Sequence, residues 1–388
     1  MAAEQEAFGI DLNENQIIIR DTIRKFADEK IRPVIMELDE SQTFPELIFN
    51  ELGKLGFLGI LVSEKYGGSG YGYVEFALII EELAKVDPSI ALSVAAHNGL
   101  CTNHIFNFAN EIQKEKYLTD LTSGVKIGAW GLTESSSGSD AGGLKSFAEK
   151  RGDYFILNGN KTFITHGTVG NTAVVMAITD KSKGSKGISA FILEKGMTGF
   201  SAGKKENKLG MRASDTSQLI FENCKVPKEN LIGNEGEGFT QALKILEGGR
   251  ISIAALSLGL AQGAINAAIK YSKERFQFGK SISEFQAIQF KLADMQLQID
   301  AARMLTYRAA YLKDNKRPNI KEAAMAKLLA SETAEKVASE AIQIFGGYGY
   351  IKDFPVEKFY RDAKLLTIGE GTSEIQRIVI SRELLKEN

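Results

Sequence analysis

Between Asn13 and about Ser123 the apolar residues recur at helical spacing. Ile19, Ile23 and Phe26 follow the i, i+4, i+7 rule, and Phe76, Ile79, Ile80 and Leu83 repeat it, so a helical region is expected here. Pro33, Pro45 and Pro88 fall near the predicted helix edges. Pro45 and Pro88 stand where a first-turn proline is tolerated, because its missing N–H would be unpaired anyway. From Gly128 to Pro227 the period shortens. SFAEKR, YFILNG, KTFIT, TAVVMAIT, ISAFILEK and SQLIFENCKVP are short runs rich in β-branched and aromatic residues, and Gly152-Asp153 and Asn158-Gly159-Asn160 punctuate them like hairpin turns. No helical stretch long enough for a crossover separates the runs, so a parallel βαβ sheet is disfavoured and an antiparallel barrel or sandwich is expected. After Gly238 helical periodicity returns and lasts to the C-terminus, with no proline between Pro227 and Pro318. The small residues Ala254, Ala255, Gly259, Ala261, Gly263 and Ala264 would let a long helix approach its neighbours closely in a bundle. The predicted architecture is α+β, with an N-terminal α-helical domain over 1–125, a middle antiparallel β-barrel or sandwich domain over 126–235 and a C-terminal four-helix-bundle domain over 236–388.

The chain has 388 residues, 44% hydrophobic and 25% charged, with Lys plus Arg 47 against Asp plus Glu 49. That is the profile of a globular protein large enough for more than one core. The near balance of charge lacks the basic footprint that phosphate-backbone binding needs, which argues against nucleic acid as a partner. Cys101 and Cys224 are too few for a disulfide scaffold and suit a reducing compartment. The opening MAAEQEAFGIDLNENQ contains acids and no apolar core of a signal peptide, and no unbroken apolar run is long enough for a membrane span. A cytoplasmic protein, or the mature form of one imported into the mitochondrial matrix, is expected.

Several chemical readings fail on the residues. GFSAG, Gly199 to Gly203, matches a nucleophile elbow, but polar KKENKLGM follows it where a helix is required. All three histidines, His97, His104 and His166, precede Ser201, so the hydrolase order Ser, acid, His cannot be made. His97, Cys101 and His104 share a helix face at partial metal-ligand spacing, with no fourth ligand nearby, so a packed core face is expected and no metal. FGKS at 278–281 ends like a phosphate-binding loop, but Glu274 stands where the first glycine must be, and GGSGYG at 67–72 lacks the dinucleotide-binding spacing.

Two segments survive. In IGEGTSEIQRIVI, Glu370 lies between Gly369 and Gly371, just before a helix whose start is expected at Ser373 with Gln376 at capping-box spacing. A carboxylate on a glycine-flanked hinge can approach a substrate carbon closely, although an exposed acid in a turn fits the spacing as well. In GAWGLTESSSGSDAGG, Thr133, Ser135, Ser136, Ser137 and Ser139 offer hydroxyls, and the glycines leave backbone N–H groups open for a polar or anionic cofactor. Alone, this could equally be a surface loop.

Together with NGNKTFIT, GDYFILNG, KLGMRAS, RFQFGK, FQAIQFKLADM and QIFGGYGYIKDFPVEKFYRDAK, these segments resemble the acyl-CoA dehydrogenase family over nearly the full length, and most nearly its short-chain, butyryl-type members. The resemblance implies FAD, an acyl-CoA substrate, electron-transfer flavoprotein as electron acceptor, and a homotetramer with flavin near subunit interfaces. It implies Glu370 as the base that removes the α-proton, with Gly371 and the Glu370 N–H beside the thioester carbonyl. Leu132, Thr133 and Ser139 would line flavin and substrate, with Phe163, Ile164 and Thr165 against the isoalloxazine. Arg275, Gln286, the stretch Gln343, Ile344, Phe345, Gly346 and Gly347, and then Thr372, Ser373 and Glu374, would hold the rest of FAD, partly across a subunit boundary. Glu247 and Arg250 join Ser139 and Gly371 on the substrate side.

The chain departs from the family's usual motifs at Ser135 (often Pro), Phe163 (often Trp), His166 (often Asn) and Gly369 (often Tyr), which bears on loop rigidity, flavin shielding and the width of the substrate wall. In isovaleryl-type members the base precedes the arginine matching Arg250. Here that residue is Gly249, so the straight-chain arrangement and a short acyl chain are expected, although HNGLCTNH has an isovaleryl flavour. The alternatives are a branched-chain or aryl-acyl-CoA dehydrogenase and, from another class, a non-catalytic helical scaffold, which would leave the Glu370 hinge and the hydroxyl loop unexplained.

Overall fold

The computed structural model describes residues 12–386. Residues 1–11, part of the stretch read for a targeting signal, lie outside the described residues. The N-terminal region is helical throughout: α1 Glu14–Phe26, α2 Ile35–Ser41, α3 Glu46–Lys54, α4 Tyr73–Ala84, α5 Pro88–Ala96, α6 Asn103–Phe108 and α7 Glu111–Thr122. The Asn13 side chain accepts from the Gln16 N–H and Gln16 answers reciprocally, which starts α1 and leaves Ile19, Ile23 and Phe26 on its buried face. Pro88 opens α5, where Asp87 caps the helix, whereas Pro45 is the cap residue of α3 rather than part of its first turn. Between α5 and α6 the chain widens into one π-helical segment, His97–Thr102.

The middle region is one 8-stranded sheet: β1 Gly128–Gly131, β2 Phe147–Arg151, β3 Tyr154–Thr165, β4 Thr172–Ile178, β5 Ile188–Glu194, β6 Phe200–Ala202, β7 Thr216–Pro227 and β8 Leu231–Ile232. Its spatial order is β6-β7-β3-β2-β4-β5-β8, with β1 on β4. Most pairs are antiparallel, but β1 runs parallel to β4, and β2 meets β4 in parallel at Phe147 and Ile178. The whole β2–β3 hairpin lies between β1 and β4, a connection long enough to bring the chain back in the same direction without a crossover helix. Gly152-Asp153 makes the tight β2–β3 turn, with Arg151 opposite Tyr154. Asn158-Gly159-Asn160 is not a turn. Here β3 continues and slips register against β7, and only glycine fits at 159, where φ is 132 and a Cβ would lie 2.4 Å from Ser146 Oγ.

The C-terminal region comprises α8 Gly238–Glu274, the β9–β10 hairpin (Phe276–Gln277, Lys280–Ser281), α9 Gln286–Asp314, α10 Ile320–Phe345, α11 Val356–Leu366 and α12 Ser373–Lys386. One apolar core joins the N-terminal helices to this bundle. Gly259 and Gly263 set the α8–α4 crossing, since a Cβ at either would lie 2.2 Å from Glu81 O or 2.4 Å from Lys85 O. α8 is long and apolar enough to cross a bilayer by composition, but its most apolar window is 78% buried inside the protein, as the central member of the bundle.

Candidate active site

Glu370 sits on the short link between α11 and α12. The N–H groups of Ile368 and Gly369 fold back onto Leu365 O, and the chain then turns through Glu370 (φ 51) and Gly371 (φ 96). A left-handed non-glycine costs about 1 to 3 kcal/mol and needs holding in place. Two side chains do so: Lys327 Nζ donates to Gly371 O at 2.8 Å, and Gln376 Nε2 donates to the same oxygen at 2.9 Å. The predicted Ser373–Gln376 capping box is shifted by one residue. Thr372 Oγ1 accepts from Ile375 N, and the Gln376 side chain reaches back to the hinge instead.

The carboxylate is seated against α8. A Cβ at Gly249 would lie 1.9 Å from Glu370 Oε2 and 3.7 Å from Leu100 Cδ2, so only glycine leaves room for it. Oε2 is shielded from solvent and has no hydrogen-bond partner among the described residues. Burial lifts the Glu370 carboxyl to about 7, with the nearby charges of Lys327 and then Arg250 pulling the other way. Burial equally lowers Lys327, to about 8, and lowers Arg250, whose buried Nε has no partner among the described residues. A carboxylate desolvated in this way is a stronger base than one in water. Among the described residues the N–H groups of Glu370 and Gly371 are unengaged, leaving two donors beside it.

Leu100 connects this pocket to the sheet, because its neighbour Cys101 packs where a Cβ of Gly128, the first residue of β1, would be. β1 runs into the loop 132–140. Thr162 N donates to Thr133 O, and the buried Lys161 ammonium donates to Leu132 O and to Glu134 Oε1 at 2.7 Å. Glu134 also accepts from the N–H groups of Lys145 and Ser146. The loop is therefore braced from beneath even with Ser135 in place of a proline, while Ser135 and Ser139 stay exposed. At the second register slip of β3, Phe163 takes φ 58 and leaves its ring 70% exposed, with Ile164 buried and Thr165 half-buried beside it. His166 Nδ1 bonds Gly128 O while Gly128 N donates to His97 Nδ1, so two neutral histidines bracket the start of β1.

A second cluster lies at the far end of the bundle. Arg275 ends α8 and lies 5.4 Å from the Tyr348 ring centroid, Gln286 opens α9 after the hairpin, and Gln343, Gly346 and Gly347 are exposed. Ile344 and Phe345 are buried, Phe345 stacked on Tyr271 at 4.1 Å. Among the described residues of one chain this patch packs on α8 and α10 and shares no extensive interface with β3. Of the residues assigned to the substrate side, Arg250 and Gly371 border Glu370, while Glu247 pairs with Lys313 at 3.3 Å. Among the described residues Ser373 and Gln376 each carry a buried oxygen without a partner next to the hinge, and Glu374 is exposed.

The rejected motifs are structural. His104 accepts from Trp130 Nε1 and bonds Gln241 Oε1, His97 bonds Leu121 O, and Ser201 lies on edge strand β6. No cluster of residues suited to a metal ion occurs among the described residues.

Three family profiles match in order: the acyl-CoA dehydrogenase N-terminal domain over residues 13–125, the middle domain over 129–224 and the C-terminal domain over 236–385. The chain belongs to the acyl-CoA dehydrogenase family. A short-chain-specific acyl-CoA dehydrogenase of Clostridium acetobutylicum is 48% identical over 97% of this chain and 99% of its own length. The solved butyryl-CoA dehydrogenase of Megasphaera elsdenii superposes with a TM-score of 0.95 at 46% identity, covering 97% of this chain and 99% of that one. A chain solved in work on the electron transferring flavoprotein of Acidaminococcus fermentans reaches a TM-score of 0.96 at 50% identity, covering 97% and 99%. Acyl-CoA dehydrogenases are FAD enzymes, and this chain is one of them.

Sequence reasoning missed Lys327 and the Glu134–Lys161 pair, and gave Gln376 a capping role in place of its hold on the hinge. No local pattern marks the first, because a lysine among Ala323, Ala324, Ala326 and Ala330 reads as solvent-facing on an alanine-rich helix.

Proposed function

We propose that this dehydrogenase acts on short, straight-chain acyl-CoA thioesters, converting them to trans-2-enoyl-CoA, with Glu370 as the base. The seating of the Glu370 carboxylate in the space left by Gly249 carries the reading, because the same arrangement leaves the helix position of isovaleryl-type members without a carboxylate. Removal of an α-proton from a thioester needs a strong base and stabilisation of the enolate-like oxygen. Glu370 supplies the first from its desolvated position, and the free N–H groups of the hinge suit the second.

The residues fit the cofactor. Phe163 offers an open aromatic face, loop 132–140 presents hydroxyls and backbone on a braced support, and Thr162 carries a buried, unpartnered hydroxyl behind it. FAD, when bound, supplies the acceptor for the β-hydride. Leu132, Thr133, Ser139, Ile164 and Thr165 would orient it, and Thr372, Ser373 and Glu374 would approach it from the hinge side. Arg275, Gln286 and the 343–347 stretch would serve the flavin of a neighbouring subunit, which the separation of the two clusters within one chain supports. Phe290, Leu297, Met304 and Tyr311, spaced by seven on α9, are 63%, 68%, 46% and 56% exposed, an apolar stripe suited to packing against further copies in a homotetramer. Electron-transfer flavoprotein is the proposed acceptor. Both cysteines are buried free thiols, which suits a cytoplasmic setting.

Anaerobic bleaching of the bound flavin by CoA esters from C4 to C16 tests the reading. Fastest reduction by butyryl-CoA supports it, and a maximum at long, branched or aryl esters would refute the short-chain assignment.

A further inference from the structure

The buried ammonium of Lys327 serves no apolar core and faces no solvent. It is 0% exposed on α10, donates to Gly371 O, and its charge is felt by Glu370. We infer that Lys327 is a positioning residue for proton abstraction, pinning the left-handed Glu370–Gly371 hinge while stabilising the ionised carboxylate. The inference rests on the assignment of Glu370 as the base.

The geometry favours a role in the reaction over one in folding. Gln376 already bonds Gly371 O, so one donor to that carbonyl was available without burying a cation. Burying a lysine is costly unless its charge is used, and here the burial lowers it to about 8. The charged groups around the hinge come from three helices. Arg250 and Glu247 lie on α8, Lys327 and Glu332 on α10, Glu374 and Arg382 on α12, and of these Lys327 and Arg250 act on Glu370 itself. The Lys327 effect is the larger of the two.

Removing the cation should raise the pH at which Glu370 ionises, by about one unit or more, as the loss of a nearby opposite charge does. The test uses FAD-loaded Lys327→Met, Lys327→Arg and Glu370→Gln, with anaerobic flavin reduction by butyryl-CoA measured from pH 5.5 to 9.5. For Lys327→Met the acidic limb should move to higher pH, so reduction at pH 7 falls roughly ten-fold or more while much of the loss is recovered near pH 9. Lys327→Arg should keep the limb close to wild type. A uniform fall of Lys327→Met at every pH, or an unmoved limb, overturns the inference. If Lys327→Met does not retain FAD, the Lys327→Arg profile decides, and a limb displaced as far as one pH unit overturns the inference. Wild-type reduction by Glu370→Gln would instead remove the base assignment, whatever Lys327 does.

Discussion

A single methyl group at Gly249 separates stability from activity. In Gly249→Ala the new Cβ would stand 1.9 Å from Glu370 Oε2 and 3.1 Å from its Cδ, against an ordinary contact of about 3.5 Å. Something must yield by roughly 1.5 Å. α8 cannot, because its faces are buried on both sides of this point, from Ile245 to Leu260. The Glu370 side chain can, because its Oε2 is held by no hydrogen bond. The carboxylate therefore swings out of its seat. A misplacement of about 1 Å in a reacting group can cost ~10²-fold, so flavin reduction by butyryl-CoA should fall by ~10² or more, about 2.7 kcal/mol of barrier. The helix itself gains, since alanine is better than glycine in a helix interior by about 0.5 to 1 kcal/mol. Stopped-flow reduction and thermal melting of the FAD-loaded protein read the two effects. Gly248→Ala is the control, because its Cβ would meet Tyr73 Oη at 2.4 Å and not Glu370. Near wild-type reduction in a stable, flavin-loaded Gly249→Ala would show that the carboxylate does not work from this seat.

Glu370→Gln should lower flavin reduction by the ~10² to 10⁴ typical of a lost general base, with FAD retained. Moving the carboxylate to the helix, as Glu370→Gly with Gly249→Glu, should recover part of the activity lost in Glu370→Gly alone; no recovery would show that the helix position cannot reach the α-carbon. Arg275→Ala should weaken FAD binding by about 1.5 to 3 kcal/mol, read by flavin fluorescence alongside sizing, and a flavin-saturated monomer would contradict the shared site. Acid should destabilise the fold before the carboxylates other than Glu370 titrate. Burial holds His97 at about 3 and His104 and His166 at about 4, so the unfolded chain binds more protons below 6.5, and stability complete above that pH is lost as pH falls towards 4. At pH 5 the three together cost roughly 6 kcal/mol, while Glu370, protonated early in the fold, returns about 2 to 3 kcal/mol. A melting temperature unchanged from pH 7 to pH 5 would contradict this balance.

What the sequence could disclose depended on whether a pattern has one structural meaning. The 3.6-residue period of Ile19, Ile23 and Phe26 has one, and those residues are buried as expected. Asn158-Gly159-Asn160 has two, since the same residues that favour a turn also favour the left-handed or open backbone of a bulge, and pairing with β7 selected the bulge. The cap of α12 moved one residue because Thr372 and Ser373 are both competent caps, and the hinge needed Gln376 for itself. Glu370 could be named through family resemblance, but its left-handed φ and the glycine that seats it join α8 to the α11–α12 link. That is a contact between residues far apart in sequence, and no local period encodes it. Lys327 was silent for a related reason: on an alanine-rich helix a lysine reads as solvated until the opposing helices are placed.

The buried charges at α11 account for how such a long-range seat stays in register. α11 leads directly into the Glu370 hinge, and its polar side chains reach both other regions. Lys358 pairs with Asp362 at 2.7 Å and with Asp87, the cap of α5, at 3.2 Å, all three buried. Asp362 accepts from Met211 N in the loop before β7, and Arg361 pairs with Asp39 on α2 and donates to Leu209 O. Gly210 lets that loop lie directly on the helix, since its Cβ would be 2.4 Å from Arg361 O. A network like this adds little net stability, because desolvation offsets most of its attraction, yet removing one partner leaves a charge buried alone, at about 3 to 5 kcal/mol. Its value is therefore directional: sliding α11 along either neighbour would unpair several groups at once. An apolar interface tolerates such sliding, but the Glu370 carboxylate must stay in the space that Gly249 leaves for it. α11 is thus held by charge on the side that leads into the hinge, where its displacement would carry Glu370, the proposed base, out of its seat.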